Sequence, residues 1–126
     1  MKLFNKKLPA QIGRDMENLA CAYLKKAGLR LLLPNYRCKM GEIDLIMQDK
    51  QYLVFVEVRY RNQTHYGSSL ESIDYRKQMK LIRTAEYYLL THKNFMDQPR
   101  FDIIAIDKIN YVHQIQWLKN AIELRA

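Results

Sequence analysis

Two acids interrupt segments that otherwise read as buried β-structure. Ile43–Met47 and Tyr52–Tyr60 are apolar runs, and each contains one carboxylate, Asp44 and Glu57. Burying an ionised carboxylate is costly unless it is paired or binds a cation. If the chain reverses at Lys50-Gln51, cross-strand partners sum to 101, so Asp44 faces Glu57 and Glu42 faces Arg59. Residues directly opposite have Cβ atoms roughly 4.5–5.5 Å apart, and like charges there destabilise a sheet. Two facing acids therefore call for a cation between them. Carboxylates suit Mg²⁺ or Mn²⁺, which prefer oxygen ligands. Such an ion polarises a phosphoryl oxygen and lowers the pKa of a bound water, the requirements of phosphodiester hydrolysis. Glu57 and Arg59 lie two apart and share a strand face. Arg59 either steadies a phosphate or water there, or pairs with Glu42 opposite.

The elements that must position these residues follow from periodicity. Ile12, Met16, Leu19, Ala20, Tyr23 and Leu24 recur at helical spacing, predicting a helix over Pro9–Ala27 that ends at Gly28. Glu17 lies at the edge of that stripe, where a solvated acid is the plain alternative to a functional one. Leu29–Arg37 reads as a strand, placed at a sheet edge or strand end by Pro34. The hairpin at about 42–60 follows the turn Lys39-Met40-Gly41, and its second strand is apolar on both faces, as in a sheet covered on both sides. Asn62–Leu70 reads as a loop. Ser72 is the expected N-cap of a helix running to about His92, with Ile73, Met79, Ile82, Ala85 and Leu89 on its apolar side. Arg76, Lys80 and Arg83 form a basic stripe on another face, either solvated or phosphate-binding. A strand over Phe101–Ile106, one over Tyr111–Gln116, and a short helix Trp117–Leu124 burying Trp117, Ala121 and Leu124 complete the order. The class is an α/β sandwich.

Composition narrows the function. The chain has 126 residues, a net charge of +8, 48% hydrophobic and 27% charged residues. That is one folded domain, residues 9–126, behind a basic arm at 1–8, with a charge suited to an anionic polymer. No apolar run reaches the roughly 18 residues of a membrane span, and the N-terminus carries no signal-peptide apolar region. Cys21 and Cys38 read as free thiols, consistent with a reducing cytoplasm. His65, His92 and His113 show no metal-ligand spacing, and there is no P-loop or GxGxxG.

Taken together, IGRDMENLACAYL, NYRCKMGEIDLI, FVEVRYR, YRKQMKL and RFDIIAI resemble the bacterial YraN family from about Ile12 to Ala121. The resemblance implies a restriction-endonuclease-like, three-layer sandwich with a mixed central β-sheet flanked by helices. It further implies kinship with PD-(D/E)xK nucleases, above all Holliday-junction resolvases, and hence a Mg²⁺-dependent endonuclease acting on DNA ahead of RNA, branched DNA included. By resemblance Asp44 and Glu57 are the motif acids, the Val58 carbonyl is a further metal ligand, and Glu17 completes the site. Lys77 and Gln78 match a Lys-Gln pair in the following helix. Resolvase-like members act as dimers, matching the two-fold symmetry of a four-way junction. Arg59 stands where the motif has lysine. Arginine is planar and always protonated, so it binds phosphate but is no general base; Lys77 is the candidate to replace it, as relocated lysines do in some relatives of the fold. Arg59, Arg61, Arg76, Lys80 and Arg83 would contact phosphates. A non-catalytic nucleic-acid-binding module with the same fold is the alternative, and a protein contact at the Leu31–Leu33 edge a third.

Overall fold

The computed structural model describes residues 7–62, 73–92 and 98–124. Most of the N-terminal arm, most of the Asn62–Leu70 loop and the expected cap Ser72 lie outside them. The elements are α1 (Pro9–Lys26), β1 (Arg30–Cys38), β2 (Gly41–Asp49), β3 (Tyr52–Asn62), α2 (Tyr75–Thr91), β4 (Gln98–Ile109) and β5 (Val112–Ile122). The strands form one mixed sheet in the order β1-β2-β3-β4-β5. Only β3 and β4 are parallel. A parallel pair needs a crossover, and α2 supplies it.

Each helix covers a different face. On β3, Val54 and Val56 pack with Met16, Ala20, Cys21 and Leu24 of α1. Leu53 and Phe55 pack with Leu81, Ala85 and Tyr88 of α2. This alternation makes β3 the double-sided core strand that its composition predicts. The first helix behaves as its sequence dictates: Pro9 occupies the first turn, and Gly28 follows the last turn with φ +104°. As expected, β1 is an edge strand; Leu31 and Leu33 pack inward on opposite faces, while Leu32 is exposed.

Two expectations about the second half are corrected. Helix α2 is capped by Asp74, whose Oδ1 accepts the Lys77 N–H at 2.8 Å, and it begins at Tyr75. Its buried stripe is Leu81, Thr84, Ala85 and Tyr88, whereas Met79, Ile82 and Leu89 are only partly buried. Thr84 concealed that stripe in the sequence, because its hydroxyl is satisfied inside the helix by donating to the Lys80 carbonyl at 2.8 Å. The expected terminal helix Trp117–Leu124 is instead the second half of β5. Trp117 and Leu118 pair with Ile104 and Ile103, and Ala121 is exposed. The ladder wins because Ile115 and Trp117, two apart, both reach the α1-side core. A bulge between Phe101 and Ile103, with Asn120 at φ +53°, then lets Ile122 join the other core.

Gly41 sets how closely α2 approaches β2. Its φ is +148°, and a Cβ there would lie 2.8 Å from Thr84 Oγ1 and 3.3 Å from Lys80 Cε. Gly41→Ala is expected to destabilise the fold by about 1–3 kcal/mol, from strained backbone and a clash with a buried side chain. A urea unfolding midpoint equal to that of the wild type would contradict this.

Candidate functional site

The sheet opens at one point, and the acids gather there. The β2–β3 ladder follows the expected register from Asp49↔Tyr52 to Leu45↔Val56, every pair summing to 101, and stops there. The next N–H on β3 available to this side, that of Val58, is taken by the Asp44 carboxylate: Val58 N donates to Asp44 Oδ2 at 2.8 Å. Asp44 thus substitutes a side chain for the missing ladder partner. The strands part beyond it, and a cavity of about 220 Å³ opens between the two helices. It is lined by Glu17 of α1, Glu42 and Asp44 of β2, Glu57, Val58 and Arg59 of β3, and Lys77 of α2.

Glu57 is the most constrained of these groups, at 4% exposure. Burial, then the charge of Asp44 and a hydrogen bond with it, push the Glu57 carboxyl from its ordinary 4.5 up to about 8. Lys77 Nζ and Arg59 Nη1 stand 3.4 and 3.6 Å from Glu57 Oε2 and oppose that rise. Glu17 is also raised, chiefly by burial and then by Asp44, while a hydrogen bond with Asn35 works the other way. Glu17 and Glu57 are thus both neighbours of Asp44, and each is raised first by burial and then by its charge.

The sequence-predicted residues divide cleanly. Glu17, Asp44, Glu57, Val58, Arg59 and Lys77 converge on one cavity. Arg59 turns to Glu57, whereas Glu42 pairs with Arg37 across the β1–β2 hairpin at 3.6 Å, so the Glu42–Arg59 alternative does not hold in the ladder. Arg61, Arg76, Lys80 and Arg83 are exposed and lie outside this cavity. Gln78 separates from Lys77: its side chain donates to the Ile73 carbonyl at 3.4 Å. Cys21 and Cys38 are free thiols, as expected. Asn35 was not anticipated. It adopts φ +50° within the edge strand, next to Pro34, and bonds Glu17. The Pro-Asn dipeptide was the available signal, since asparagine tolerates the left-handed region.

The donor set suits a hard divalent cation, being all oxygen. Among the described residues no three His, Cys, Asp or Glu side chains form a ready-made metal-holding group. A cation would have to displace the proton that Glu57 holds below about pH 8. Buried Glu57 beside half-buried Asp44 supplies the reason it could: an ion between them would relieve the repulsion that adds to burial in raising Glu57.

That repulsion has a measurable cost. Between pH 4.5 and about 8 folded Glu57 holds a proton that the unfolded chain has released. Stability therefore falls as pH rises through that window. Glu57→Gln is expected to match the wild type near pH 4 and to exceed it above pH 8 by on the order of 3 kcal/mol. Denaturation curves at the two pH values decide; a variant less stable than wild type at pH 8.5 would contradict the assignment.

Residues 16–106 match the family described as Uncharacterised protein family UPF0102. A relative from Pseudomonas fluorescens (strain Pf0-1) is 47% identical over 114 residues, covering 90% of this chain and 93% of its own. Relatives from Nitrosococcus oceani and Legionella pneumophila subsp. pneumophila are 43% and 46% identical, over 90% and 88% of this chain and 93% of each of theirs. The match spans every element that lines the cavity. The chain belongs to UPF0102, the YraN family.

Proposed function

We propose that the protein is a metal-dependent endonuclease of restriction-endonuclease-like fold that hydrolyses phosphodiester bonds in DNA, branched DNA included. One observation carries this reading: Glu17, Asp44 and Glu57, from three different elements, meet Lys77 from a fourth in one open cavity. Asp44 and Glu57, with Glu17 and the Val58 carbonyl, would hold Mg²⁺ or Mn²⁺. When bound, such an ion supplies Lewis acidity and a water of lowered pKa. The other roles belong to the chain. Lys77 stands where it can orient a water or balance phosphate charge, the task that Arg59 cannot share as a base. Arg59 and Arg61 on β3, and Arg76, Lys80 and Arg83 on α2, offer cations to the flanking phosphates.

A second reading is favoured by two specific contacts. Lys77 and Arg59 both stand within 3.6 Å of Glu57 and offset its charge without any metal. A module built on that arrangement would bind nucleic acid and cut nothing. Purified protein offered linear, flapped and four-way DNA, and RNA, in Mg²⁺ and in Mn²⁺, separates the two. Cleavage of at least one substrate that stops on adding EDTA is the expected result. Salt-sensitive binding with no cleavage of any substrate in either metal would replace the first reading with the second.

A further inference from the structure

A second cavity adjoins the acid site and is built from the opposite charge. It has a volume of about 340 Å³ and is lined by Arg37, Lys39, Lys77 and Lys80, with Glu42 the single acid in its wall among the described residues. Glu42 and Lys77 line both cavities, so the two share a wall. The basic residues come from separate elements. Arg37 is the last residue but one of the edge strand β1, Lys39 lies in the β1–β2 turn, and Lys77 and Lys80 stand three residues apart on α2. Three features fix the arrangement. Gly41 leaves room for the Lys80 stem, which passes within 3.3 Å of where a Cβ would stand. Lys39 Nζ rests 5.5 Å from the Tyr87 ring centroid. Arg37 Nε lies 3.6 Å from Glu42 Oε1 and offsets its charge.

We infer that this cavity is a subsite for one phosphate–sugar unit of a nucleic acid strand, next to the unit held at the acid cluster. The inference rests on the nucleic-acid reading of the neighbouring site. Arg37 and Lys77 face Glu42 and Glu57, and Lys39 and Lys80 add two further cations to the same wall, a balance that suits a polyanion. The cavity falls in the size range of about 300–1,000 Å³ that takes a small ligand group. The shared wall supplies the direction: a strand with one phosphate at Asp44 and Glu57 continues past Lys77 into the basic cavity. Lys77 thus faces two successive phosphates, and Arg37, Lys39 and Lys80 hold the strand by its backbone without reading bases.

Binding, measured apart from cleavage, tests this. Fluorescence anisotropy with a 3′-labelled single-stranded DNA oligonucleotide in EDTA reports affinity where no metal-dependent cutting occurs. Lys39→Gln/Lys80→Gln keeps the packed stems and removes two charges. It is expected to bind about tenfold more weakly at 0.1 M salt, with a salt slope shallower by about 1.4. Lys25→Gln/Lys26→Gln, the same charge loss at the far end of α1, is expected to change affinity less than twofold. Lys39→Glu alone, at an exposed turn, is expected to weaken binding at least as much as the cavity pair. Equal losses in the two double variants, or no loss in Lys39→Glu, would overturn the subsite. Oligonucleotides with a 5′-phosphate or a 5′-hydroxyl distinguish its source: preference for the phosphate assigns a terminal group, equal affinity an internal phosphodiester. If wild type cuts nothing and the cavity variants still lose binding, the nuclease reading fails and the subsite stands. If wild type cuts and they bind unchanged, the reverse holds.

Discussion

Asp44→Asn is expected to abolish metal-dependent cleavage, by at least about 10³-fold, while leaving the protein folded and more stable near pH 8. The loss follows from position. Asp44 touches Val58 through the 2.8 Å bond to its N–H, and it is the shared neighbour of Glu17 and Glu57. In the proposed metal site Asp44 would be a central ligand, and its removal would forfeit several kcal/mol of transition-state stabilisation, at a factor of ten per about 1.4 kcal/mol. The gain follows from the same geometry, because the charge of Asp44 is second only to burial in raising Glu57. Asparagine keeps an oxygen for the Val58 N–H and removes the repulsion. Activity and stability should therefore move in opposite directions, as they do where a site stores unfavourable electrostatics for function. Asp44→Ala is the useful contrast, since it also strands the Val58 N–H. Cleavage by Asp44→Asn within tenfold of wild type would remove Asp44 from the site.

Asp102→Ala is expected to cost about 3–5 kcal/mol, a large share of the stability of a small domain. Asp102 is fully buried within β4. Its carboxylate accepts from Arg100 Nε and Nη2 at 2.9 Å each, from Trp117 Nε1 at 3.0 Å and from the Asn120 N–H at 2.8 Å. Arg100 is held further by Asp49 at 3.1 Å and by the Tyr52 ring. Alanine would leave a partly buried guanidinium, an indole N–H and a backbone N–H without that acceptor, the expensive way to break such a network. Arg100→Leu/Asp102→Leu, which removes charge from both partners, is expected to recover part of the loss. Urea midpoints of the single and double variants measure it. A cost below 1 kcal/mol for Asp102→Ala would show that the network contributes little. Asp102 pairs with Val56 across the parallel ladder, so its loss also loosens the strand that carries Glu57.

How far the site could be read in advance depended on the range of the interactions. A hairpin register is local, and the turn at Lys50-Gln51 was enough to place Asp44 beside Glu57. What local arithmetic missed was the end of the ladder, because Asp44 replaces a backbone partner with its own carboxylate. The phase of α2 was not legible from apolar spacing, since Thr84 reads as polar until its hydroxyl is seen to bond within the helix. Lys77 accordingly came from resemblance and not from periodicity. The Asp102 network required knowing that β5 runs as a strand past Trp117, a long-range pairing that helical spacing in Trp117–Leu124 imitated. Asn35 was hidden for a similar reason: its partner Glu17 is distant in sequence, and only its unusual φ marks it.

The central claim is that Asp44 and Glu57 form a metal site. Isothermal calorimetry of Mn²⁺ into wild type and Asp44→Asn at pH 8.5, above the point where Glu57 loses its proton, tests it most directly. Saturable binding by wild type, absent from Asp44→Asn, is the predicted result, with proton release expected only when the titration is repeated below pH 8. No saturable heat in wild type, or the same binding in the variant, would contradict the account.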